Sequence, residues 1–300
     1  MTKRRVGRRT VTVTHPDKVL FPDDGITKVE LVDYYVEVAA VMIPHVRDRP
    51  LTQQRFPDGI DGGTFWHKQI PGYFPPWVPR VRVHTEKGPQ EQILCNEAAT
   101  LAYLANQNCI TPHVWLSRAD RLHQPDQVIV DLDPPGDDFE PVRQGALLTK
   151  AIFVDIGLVP FVKTTGSKGL HVAAPLRRGT DFEEVREFSR ALAGVLAARD
   201  EGLTTEVRKD KRRGRVFIDV GRNAYGQTAV PPYAVRARPG APVATPLDWE
   251  EVGDRRLSPR KYTIRNLGRR LSRDGDPWKG MGRGARSLRG PARALERLDR

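Results

Sequence analysis

Apolar and polar residues follow two repeating patterns between Val11 and about Leu271. Alternation with a period of two predicts strands with one buried face, and apolar residues spaced three to four apart predict amphipathic helices. Thr27 and Glu30 have the spacing of a helix capping box, and we expect the helix that follows to end at Pro44, which lacks a backbone amide hydrogen. The patterns predict strands at 11–13, 51–56, 64–70, 81–84, 91–94, 128–133, 160–164, 170–174 and 216–220, and helices at 29–43, 97–106 (capped by Asn96), 141–156 and 182–198.

The order of these elements predicts an α+β fold. Strands and helices are mixed along the chain, and a short glycine turn joins the strands at 160–164 and 170–174, which implies antiparallel pairing and disfavours a doubly wound parallel sheet. Because no repeat or linker interrupts the patterning, we expect a single catalytic domain over residues 1–278. The tail at 279–300 is rich in glycine and basic residues, so we expect it to be mobile or ordered only on a polyanion.

Composition narrows the class of protein. A chain of 300 residues can bury a large core without covalent staples, and its two cysteines, Cys95 and Cys109, are too few for a disulfide framework or a cysteine-rich zinc site. A reducing, intracellular compartment is therefore expected. The longest apolar runs fall well short of the roughly 20 residues that a bilayer requires, so the sequence predicts no membrane span.

Charge is the most informative bulk property. The chain carries 49 basic and 37 acidic residues, a net charge of +12, which predicts a polyanionic partner. The excess is clustered in three segments, at 3–9, 208–215 and 279–300. Charge runs discriminate weakly, and the alternative is an arginine-rich protein whose charge serves only solubility.

Asp131 and Asp133 end an apolar run in the sequence QVIVDLD. Because strand side chains alternate between faces, these two carboxylates leave the same face and can bind a divalent cation together. Hard cations such as Mg²⁺ or Mn²⁺ take oxygen ligands and keep substrate phosphates in their shell, as phosphoryl transfer requires. Asp219, in the run VFIDV, offers a third carboxylate for a pair of ions. Alternatively, the first two acids cap the next turn, and Asp219 is a solvated residue of a half-exposed strand.

A glycine-containing turn, TTGSKGLH at residues 164–171, separates two predicted strands. Glycine lets backbone amides approach an anion closely, while Lys168 adds a point charge, Ser167 a hydroxyl donor and His171 an imidazole donor. These features predict a phosphate-binding turn. An ordinary glycine hairpin with an exposed lysine and a buried structural histidine is the alternative.

Taken in order, these motifs resemble the archaeo-eukaryotic primase superfamily, and in detail the polymerase domain of bacterial ATP-dependent DNA ligase D and its stand-alone relatives. The resemblance extends from HPDKVLFP at residues 15–22 to RDGD at residues 273–276. It implies a primase-polymerase fold whose mixed, largely antiparallel sheets form a catalytic cleft flanked by helices. Because the sequence has no K-x-D-G ligase motif and no nuclease segment, a free-standing polymerase is expected.

The resemblance also assigns roles by position. Asp131, Asp133 and Asp219 would hold two catalytic Mn²⁺ or Mg²⁺ ions, and Asp219 would also draw the primer 3′-hydroxyl into attack. The residues expected to bind the nucleoside triphosphate substrate are Thr165, Ser167, Lys168, His171, Arg236, Arg55 and, beside the sugar, His113. The residues expected to bind DNA are Lys18 and Lys28 at a downstream 5′-phosphate, Phe65 and Trp66 on template bases, and Lys68.

Two positions depart from the family pattern. Gln54 stands where the family often has a lysine next to the position of Arg55, and Arg222 follows the third motif where a glutamine is common. Both positions bear on nucleotide preference and on the grip on the DNA strand.

The resemblance implies template-dependent addition of nucleotides, with ribonucleotides preferred, to 3′ ends at gaps or double-strand breaks during non-homologous end joining. The expected partners are DNA with 5′-phosphorylated gaps or ends, a Ku-type end-binding protein and a separate DNA ligase, in the bacterial cytoplasm at the nucleoid. Three alternatives remain: a primase that starts primers de novo, a non-catalytic DNA-end-binding protein, and a D-x-D glycosyltransferase. The last would need no large positive charge and would give Asp219 no role.

Overall fold

The computed structural model describes residues 1–85 and 88–298. Its strands, numbered in chain order, are β1 (Thr2–Val6), β2 (Arg9–Val13), β3 (Val19–Phe21), β4 (Ile26–Thr27), β5 (Pro50–Arg55), β6 (Phe65–His67), β7 (Arg80–Thr85), β8 (Gly88–Leu94), β9 (Cys109–Trp115), β10 (Ser117–Arg118), β11 (Arg121–Pro125), β12 (Gln127–Asp133), β13 (Phe161–Thr164), β14 (Leu170–Pro175), β15 (Leu203–Thr204), β16 (Val216–Asp219), β17 (Thr228–Ala229) and β18 (Pro246–Leu247). Its helices are α1 (Lys28–Glu37), α2 (Ala39–Val46), α3 (Ala98–Asn106), α4 (Glu140–Asp155), α5 (Phe182–Arg199), α6 (Trp249–Gly253), α7 (Leu267–Asp274) and α8 (Arg289–Leu298).

The chain folds as two compact units, each made of three segments. The first unit contains Met1–Asp120, Thr228–Ala244 and Tyr262–Asp276. The second contains Arg121–Gln227, Thr245–Lys261 and Pro277–Arg300. Sequence patterning predicted one domain over residues 1–278, because interleaved segments leave no proline- or glycine-rich linker between the units.

The first unit is built on an antiparallel sheet with the strand order β17-β9-β5-β8-β7, and β6 also pairs with β5. Leu51, Ile93 and Val114 lie opposite one another on three of these strands and are buried. Helix α1 lies against α3, and the hydroxyl of Tyr35 on α1 donates a 2.6 Å hydrogen bond to the carbonyl oxygen of Ile110 on β9. The sheet therefore has a helix-covered core of its own.

The second unit is built on a sheet with the strand order β15-β16-β12-β14-β13-β18. All of its ladders are antiparallel except the short β15–β16 pair. Helices α4 and α5 contact the central strand β12. Gly145 of α4 faces Leu132 and Leu203, which places this helix on the Leu132 face of the sheet. The predicted α+β class with largely antiparallel sheets is confirmed.

Two details of the predicted helices are wrong. The capping box of Thr27 and Glu30 is present, but the helix it begins ends at Glu37, and a separate helix α2 follows. Pro44 lies inside α2, in its last turn, so its missing amide costs a single intrahelical bond and does not end the helix. Asn96 does not cap α3, because its side chain is hydrogen-bonded to Asp48 instead.

Residues after Trp278 are more ordered than predicted. Residues 289–298 form α8, which contacts α5 and buries Pro291 and Leu295. The indole of Trp278 donates a 2.9 Å hydrogen bond to the carbonyl oxygen of Val162 on β13. The glycine-rich, basic composition that suggested a mobile tail therefore belongs to a packed segment, and only residues 299–300 of the predicted tail lie outside the described residues.

Two further features concern strand β9 and the length of the helices. The patterning did not predict β9, in which Pro112 is a residue type that strands disfavour. Among residues 1–85 and 88–298, no helix is long and apolar enough to span a bilayer.

Candidate functional site

Three carboxylates lie side by side on one face of the second unit's sheet. Asp131 on β12 is directly opposite Asp219 on the neighbouring antiparallel strand β16, so both side chains leave the same face. Asp133 follows two residues later on β12 and shares this face. These side chains are 19%, 27% and 41% exposed for Asp131, Asp219 and Asp133. We call this group the carboxylate row.

The row continues across two further strands with nitrogen side chains. His171 on β14 is directly opposite Asp131, and its Nε2 lies 3.2 Å from Asp131 Oδ2. Lys163 on β13 is directly opposite His171 and is 1% exposed. Sequence reasoning did not single out Lys163, although the alternation in FVKT and the predicted pairing of the two strands placed it on this face.

The opposite face of the same strands is apolar, and this difference determines on which face of the sheet the carboxylates lie. Leu132 pairs with Ile218 on one side and with Leu170 on the other, and all three side chains are buried. A one-residue slip of β12 would move the acids into this core, so the register is strongly specified. The sequence pattern therefore dictates that the carboxylates point away from the core beneath Leu132.

Each remaining carboxylate of the row also has a nitrogen partner. Asp133 Oδ2 lies 3.4 Å from an amino nitrogen of Arg212. That guanidinium is 7% exposed, donates to the backbone oxygens of residues 206 and 207, and lies over the ring of Phe217. Asp219 Oδ1 accepts a 2.8 Å hydrogen bond from the amide of Gly221. Arg212 belongs to a basic cluster visible in the sequence, but nothing in the spacing indicated its contact with an acid.

Electrostatics distinguish the two acids of β12. Burial acts to raise the pKa of the Asp131 carboxyl, but the adjacent His171 and nearby cations outweigh it, and that pKa lies below its ordinary value. Burial and the negative charge of Asp131 raise the pKa of Asp133, and Arg212 offsets them only in part. At Asp133, the neighbouring cations therefore do not fully neutralise the negative charge of the carboxylate row.

The donor chemistry of the row fits a hard divalent cation. Three carboxylates on adjacent strands supply oxygen ligands, and the raised pKa of Asp133 shows a repulsion that a cation would relieve. In the described ranges 1–85 and 88–298, however, no three or more His, Cys, Asp or Glu side chains converge in the arrangement of a metal site. Each carboxylate is instead turned toward the nitrogen partner named above.

The glycine turn between β13 and β14 lies next to the row. Gly166 has a φ of +66°, which favours glycine. At Gly169 a Cβ would lie 1.9 Å from the carbonyl oxygen of Leu132, so only glycine allows β14 to approach β12 so closely. The hydroxyl of Thr165 accepts hydrogen bonds from the amides of Ser167 and Gly169, at 3.3 and 3.1 Å. Thr165 is buried and holds the turn together from within.

The predicted phosphate ligands of this turn lie at its surface. Lys168 is 42% exposed, and its ammonium lies 3.4 Å from a carboxylate oxygen of Asp137, which is itself 98% exposed. Arg260 Nε donates a 2.9 Å hydrogen bond to the backbone oxygen of Ser167 and adds a cation that sequence reasoning missed. The turn thus presents two cations and a hydroxyl beside His171.

Two predicted DNA-binding lysines meet in the first unit. Lys18 and Lys28, with His15, Asp17 and Asn108, line a cavity of about 480 Å³ that we call the cation pocket. Burial lowers the pKa of the Lys28 ammonium, and the positive charge of Lys18 lowers it further. Lys28 is the first residue of α1, where the helix dipole is positive. Lys18 Nζ lies 3.4 Å from a carboxylate oxygen of Asp58.

Arg55 is associated with this pocket by charge. Its positive charge also lowers the pKa of Lys28. The guanidinium donates hydrogen bonds to the backbone oxygen of Gln107, at 2.7 Å, and to the hydroxyl of Tyr73, at 3.1 Å. Sequence reasoning placed Arg55 with the nucleotide ligands, and within the first unit its charge acts on Lys28, which was predicted to bind DNA.

The predicted aromatic pair lies on β6. Phe65 and Trp66 pair with consecutive residues of β5 and so point to opposite faces, yet they are 54% and 51% exposed. Neither side chain therefore belongs to the core. The ring of Trp66 meets that of His113 edge-on, with centroids 4.9 Å apart. Lys68 follows the strand and is exposed.

Arg236 lies in the segment Thr228–Ala244 of the first unit, half-buried. Its backbone amide donates to Pro242, and its charge acts on Tyr35 of α1. Within the first unit, the structure thus brings together Lys18, Lys28 and Arg55, and separately Trp66 and His113. Within the second unit it brings together the carboxylate row, His171 and the glycine turn.

Comparison with known proteins adds three relatives. A family model described as "LigD, primase-polymerase domain" matches residues 27–278. The multifunctional non-homologous end joining DNA repair protein LigD of Mycobacterium tuberculosis is 34% identical over 276 residues, 89% of this chain and 36% of that protein. LigD of Pseudomonas aeruginosa is 30% identical over 278 residues, which are 91% of this chain and 33% of that protein. Bifunctional LigD of Bacillus subtilis is 31% identical over 268 residues, which are 88% of this chain and 43% of that protein. The matched region is thus less than half of each relative's length.

A solved structure is similar over nearly its whole length. The polymerase domain of Mycobacterium tuberculosis ligase D in complex with DNA matches with a TM-score of 0.86 and 32% identity. The match covers 92% of this chain and 99% of that one. The likeness confirms the predicted primase-polymerase fold class.

Proposed function

This chain belongs to the LigD primase-polymerase domain family, and from that premise we propose that it is a template-dependent nucleotidyltransferase that extends the 3′ ends of DNA at gaps and double-strand breaks. The observation that carries the proposal is the carboxylate row, in which Asp131 lies between His171 and Asp219 on three neighbouring strands. Such a row is costly in a sheet unless cations balance it, and it lies next to a turn suited to phosphate. A non-catalytic DNA-binding protein would have no use for it.

The carboxylate row would hold two Mg²⁺ or Mn²⁺ ions. When bound, such ions neutralise the charge of transferring phosphates and lower the pKa of the attacking hydroxyl. For its part, the chain supplies the carboxylates in a fixed register, and Asp219 would position the primer 3′-hydroxyl. His171 and Arg212 contact the carboxylates of β12 in the protein alone, and His171 favours the ionised form of Asp131 in advance of a divalent cation.

The glycine turn would bind the triphosphate. Lys168 and Ser167 are placed to donate to phosphate oxygens, whereas Thr165 is buried and would act by holding the turn in shape. We assign His171 a hydrogen bond to a phosphate oxygen, since its imidazole is fixed beside Asp131. On the family resemblance alone, Arg236, Arg55 and His113 remain assigned to the nucleotide, with His113 beside the sugar and ribonucleotides as the preferred substrate.

The first unit would bind DNA on either side of a gap. The cation pocket suits a 5′-phosphate, because Lys18 and Lys28 repel each other unless an anion lies between them. Phe65 and Trp66 are exposed platforms on which template bases can stack, at about 1 to 3 kcal/mol per base by alanine substitution. Lys68 would add a backbone contact. The solved relative contains DNA, which supports DNA as the substrate of this chain.

The biological setting of the proposal is non-homologous end joining, which the names of the bacterial relatives specify for those proteins. For this chain we propose the same setting, with a Ku-type protein that delivers ends and a ligase that seals them.

Primer extension on gapped DNA tests the proposed reaction. The substrate carries a 5′-phosphate on the downstream strand, and each reaction contains ribo- or deoxynucleotides with Mg²⁺, Mn²⁺ or neither. We expect extension that depends on the template and on a divalent cation, and that is faster with ribonucleotides. Binding without extension under every condition would favour a DNA-end-binding protein, and synthesis without a primer would favour a primase.

A further inference from the structure

The N-terminal hairpin has two faces of different character. Strands β1 and β2 pair in antiparallel register from Thr2↔Val13 to Val6↔Arg9, with Gly7 at a φ of +59° in the two-residue turn. One face buries Val6, Val11 and Val13 in the first unit. The other face exposes Lys3, Arg5, Thr10 and Thr12, and the turn exposes Arg8.

The five cations of residues 3–9 are not equivalent. Arg4 pairs with Asp33 at 2.7 Å, and Arg9 pairs with Glu97 and lies over the ring of Trp77. These two are structural. By contrast, in the part of the chain that the structure describes, no carboxylate lies within ion-pair distance of the cations that we call the hairpin trio, which consists of Lys3, Arg5 and Arg8.

The spacing of the hairpin trio suits a regular polyanion. Lys3 and Arg5 are two residues apart on one strand, so both point from the same face about 6.8 Å apart and can reach successive phosphates of one DNA strand. Thr12 and Thr10 lie directly opposite these two cations and offer hydroxyl donors. No large apolar side chain is exposed between residues 3 and 12, so the face offers nothing to a membrane or an apolar protein surface.

The hairpin also leads directly into the cation pocket. Strand β2 ends at Val13, two residues before His15, the first residue that lines the pocket. A DNA strand whose 5′-phosphate occupies the pocket continues with further phosphates on its 3′ side. In the protein sequence, the hairpin trio is the set of exposed cations that precedes the pocket residues.

We propose that the outer face of the hairpin binds the phosphate backbone of the duplex downstream of the gap, independently of base sequence. The proposal rests on the function proposed above, because the pocket fixes the end of the same strand. It lies outside residues 27–278, which the family model matches. Arg4 and Arg9 take no part, since their ion pairs hold the hairpin to the first unit.

A salt titration of DNA binding tests this proposal. Fluorescence anisotropy measures the affinity of the full chain for gapped, 5′-phosphorylated DNA with a downstream duplex of either about 6 or about 24 base pairs. The variant is Lys3→Ser/Arg5→Ser/Arg8→Ser. On the long duplex its slope of log affinity against log salt should be shallower than the wild-type slope by about 2.7, because each phosphate that a cation neutralises adds about 0.9 to the slope. Between 50 and 200 mM salt this corresponds to about a 40-fold smaller decrease in affinity. On the short duplex the two proteins should have the same slope.

Two matched variants control for charge and folding. Arg177→Ser/Arg190→Ser/Arg199→Ser removes the same charge from exposed positions of the second unit and should leave the slope unchanged. Lys3→Arg/Arg5→Lys/Arg8→Lys keeps the charge and should keep the slope. If the triple serine variant fails to fold in a thermal melt, Arg8→Ser alone, at the turn, should lower the slope by about 0.9.

The outcomes separate this proposal from the proposed function. An unchanged slope in the trio variant, or an equal change in the second-unit control, overturns the hairpin surface. Wild-type binding that ignores the 5′-phosphate counts against the cation pocket and the function built on it. A shallower slope with a retained 5′-phosphate preference supports the hairpin and the pocket together.

Discussion

The carboxylate row and the cation pocket concentrate charge of opposite sign by different means. The acids of the row lie on regular strands, where the ladder register sets their positions, and each has a nitrogen partner in the protein. The cations of the pocket come from a loop and from the start of α1. They have fewer partners, since Lys18 reaches Asp58 at 3.4 Å while Lys28 is buried with its pKa lowered.

This contrast determines how each site meets its ligand. An anion that enters the pocket relieves a repulsion already present, and it competes with an exposed carboxylate, that of Asp58, for Lys18. A divalent cation that enters the row must compete with His171 and Arg212 for carboxylate oxygens. The pocket should therefore hold DNA whether or not metal is bound, and loss of either site should leave the other working.

Removal of one acid should separate the two sites most clearly. Asp131→Asn should lower the extension rate about a thousandfold or more, because a metal-binding carboxylate supports several kcal/mol of transition-state stabilisation. Its affinity for gapped, 5′-phosphorylated DNA should stay within a few-fold of wild type. Rapid-quench extension and anisotropy measure the two quantities, and calorimetry with Mn²⁺ should show weakened binding of the ion.

Asp155→Asn is the matched control, since Asp155 is exposed at the end of α4, in the same unit. It should extend primers at the wild-type rate. A fully active Asp131→Asn protein would remove the carboxylate row from the reaction.

The second prediction concerns the scaffold of the row. Gly169→Ala puts a methyl group 1.9 Å from the carbonyl oxygen of Leu132, a backbone atom, so β12 and β14 must separate. Overpacking of this kind costs typically 1 to 3 kcal/mol and occasionally more, and we expect the upper end, about 3 kcal/mol of unfolding free energy. Chemical denaturation measures this loss, and extension should fall with it.

Gly136→Ala serves as the control, because a Cβ there meets no atom within 4 Å and the residue has no positive φ. This variant should match wild type within about 0.5 kcal/mol. Equal unfolding free energies for the two variants would show that the close approach of β14 to β12 at Gly169 does not affect stability.

The same contrast explains what the sequence could and could not predict. The row followed from alternation, because Asp131 and Asp133 two apart on a strand must share a face, and the apolar VFI before Asp219 placed this acid similarly. Lys163 was within reach of the same argument. The cation pocket was available only through family resemblance, since Lys18 and Lys28 lie on different elements and no period joins them.

The errors arose where tertiary contacts override local rules. Asn96 has the chemistry of a helix cap but hydrogen-bonds to Asp48 instead, and Pro44 is tolerated in the last turn of α2. The basic, glycine-rich composition of the C-terminal segment concealed Leu295, whose burial against the second unit orders α8. The average composition of such a helix is dominated by its exposed face and does not reveal the narrow apolar face that packs against the protein.

The third prediction concerns the pocket. Lys28→Ala should reduce the preference for gapped DNA with a 5′-phosphate, over the same DNA without it, by about 10- to 100-fold, because a hydrogen bond to a charged group contributes about 1.5 to 3 kcal/mol. Extension of DNA that lacks the 5′-phosphate should be unaffected. Lys150→Ala, on α4 of the second unit, is the control and should keep the preference. A preference that persists in the Lys28→Ala protein would show that the phosphate binds elsewhere.

The last and weakest effect concerns pH at the same residue. Because burial and neighbouring cations lower the pKa of Lys28, its ammonium loses a proton at a lower pH in the folded chain than in the unfolded one. Below the folded pKa the charge opposes folding but attracts phosphate. As pH rises through that value the attraction is lost, and the cost to folding shrinks until pH passes the unfolded pKa. The 5′-phosphate preference should therefore decline by a few-fold as pH rises toward about 10.4, before an ordinary lysine would titrate. Lys28→Arg keeps its charge throughout this range and should abolish the decline, whereas Lys18→Arg should leave it in place. The same decline in the Lys28→Arg protein would assign the titration to another group and separate the lowered pKa from phosphate binding.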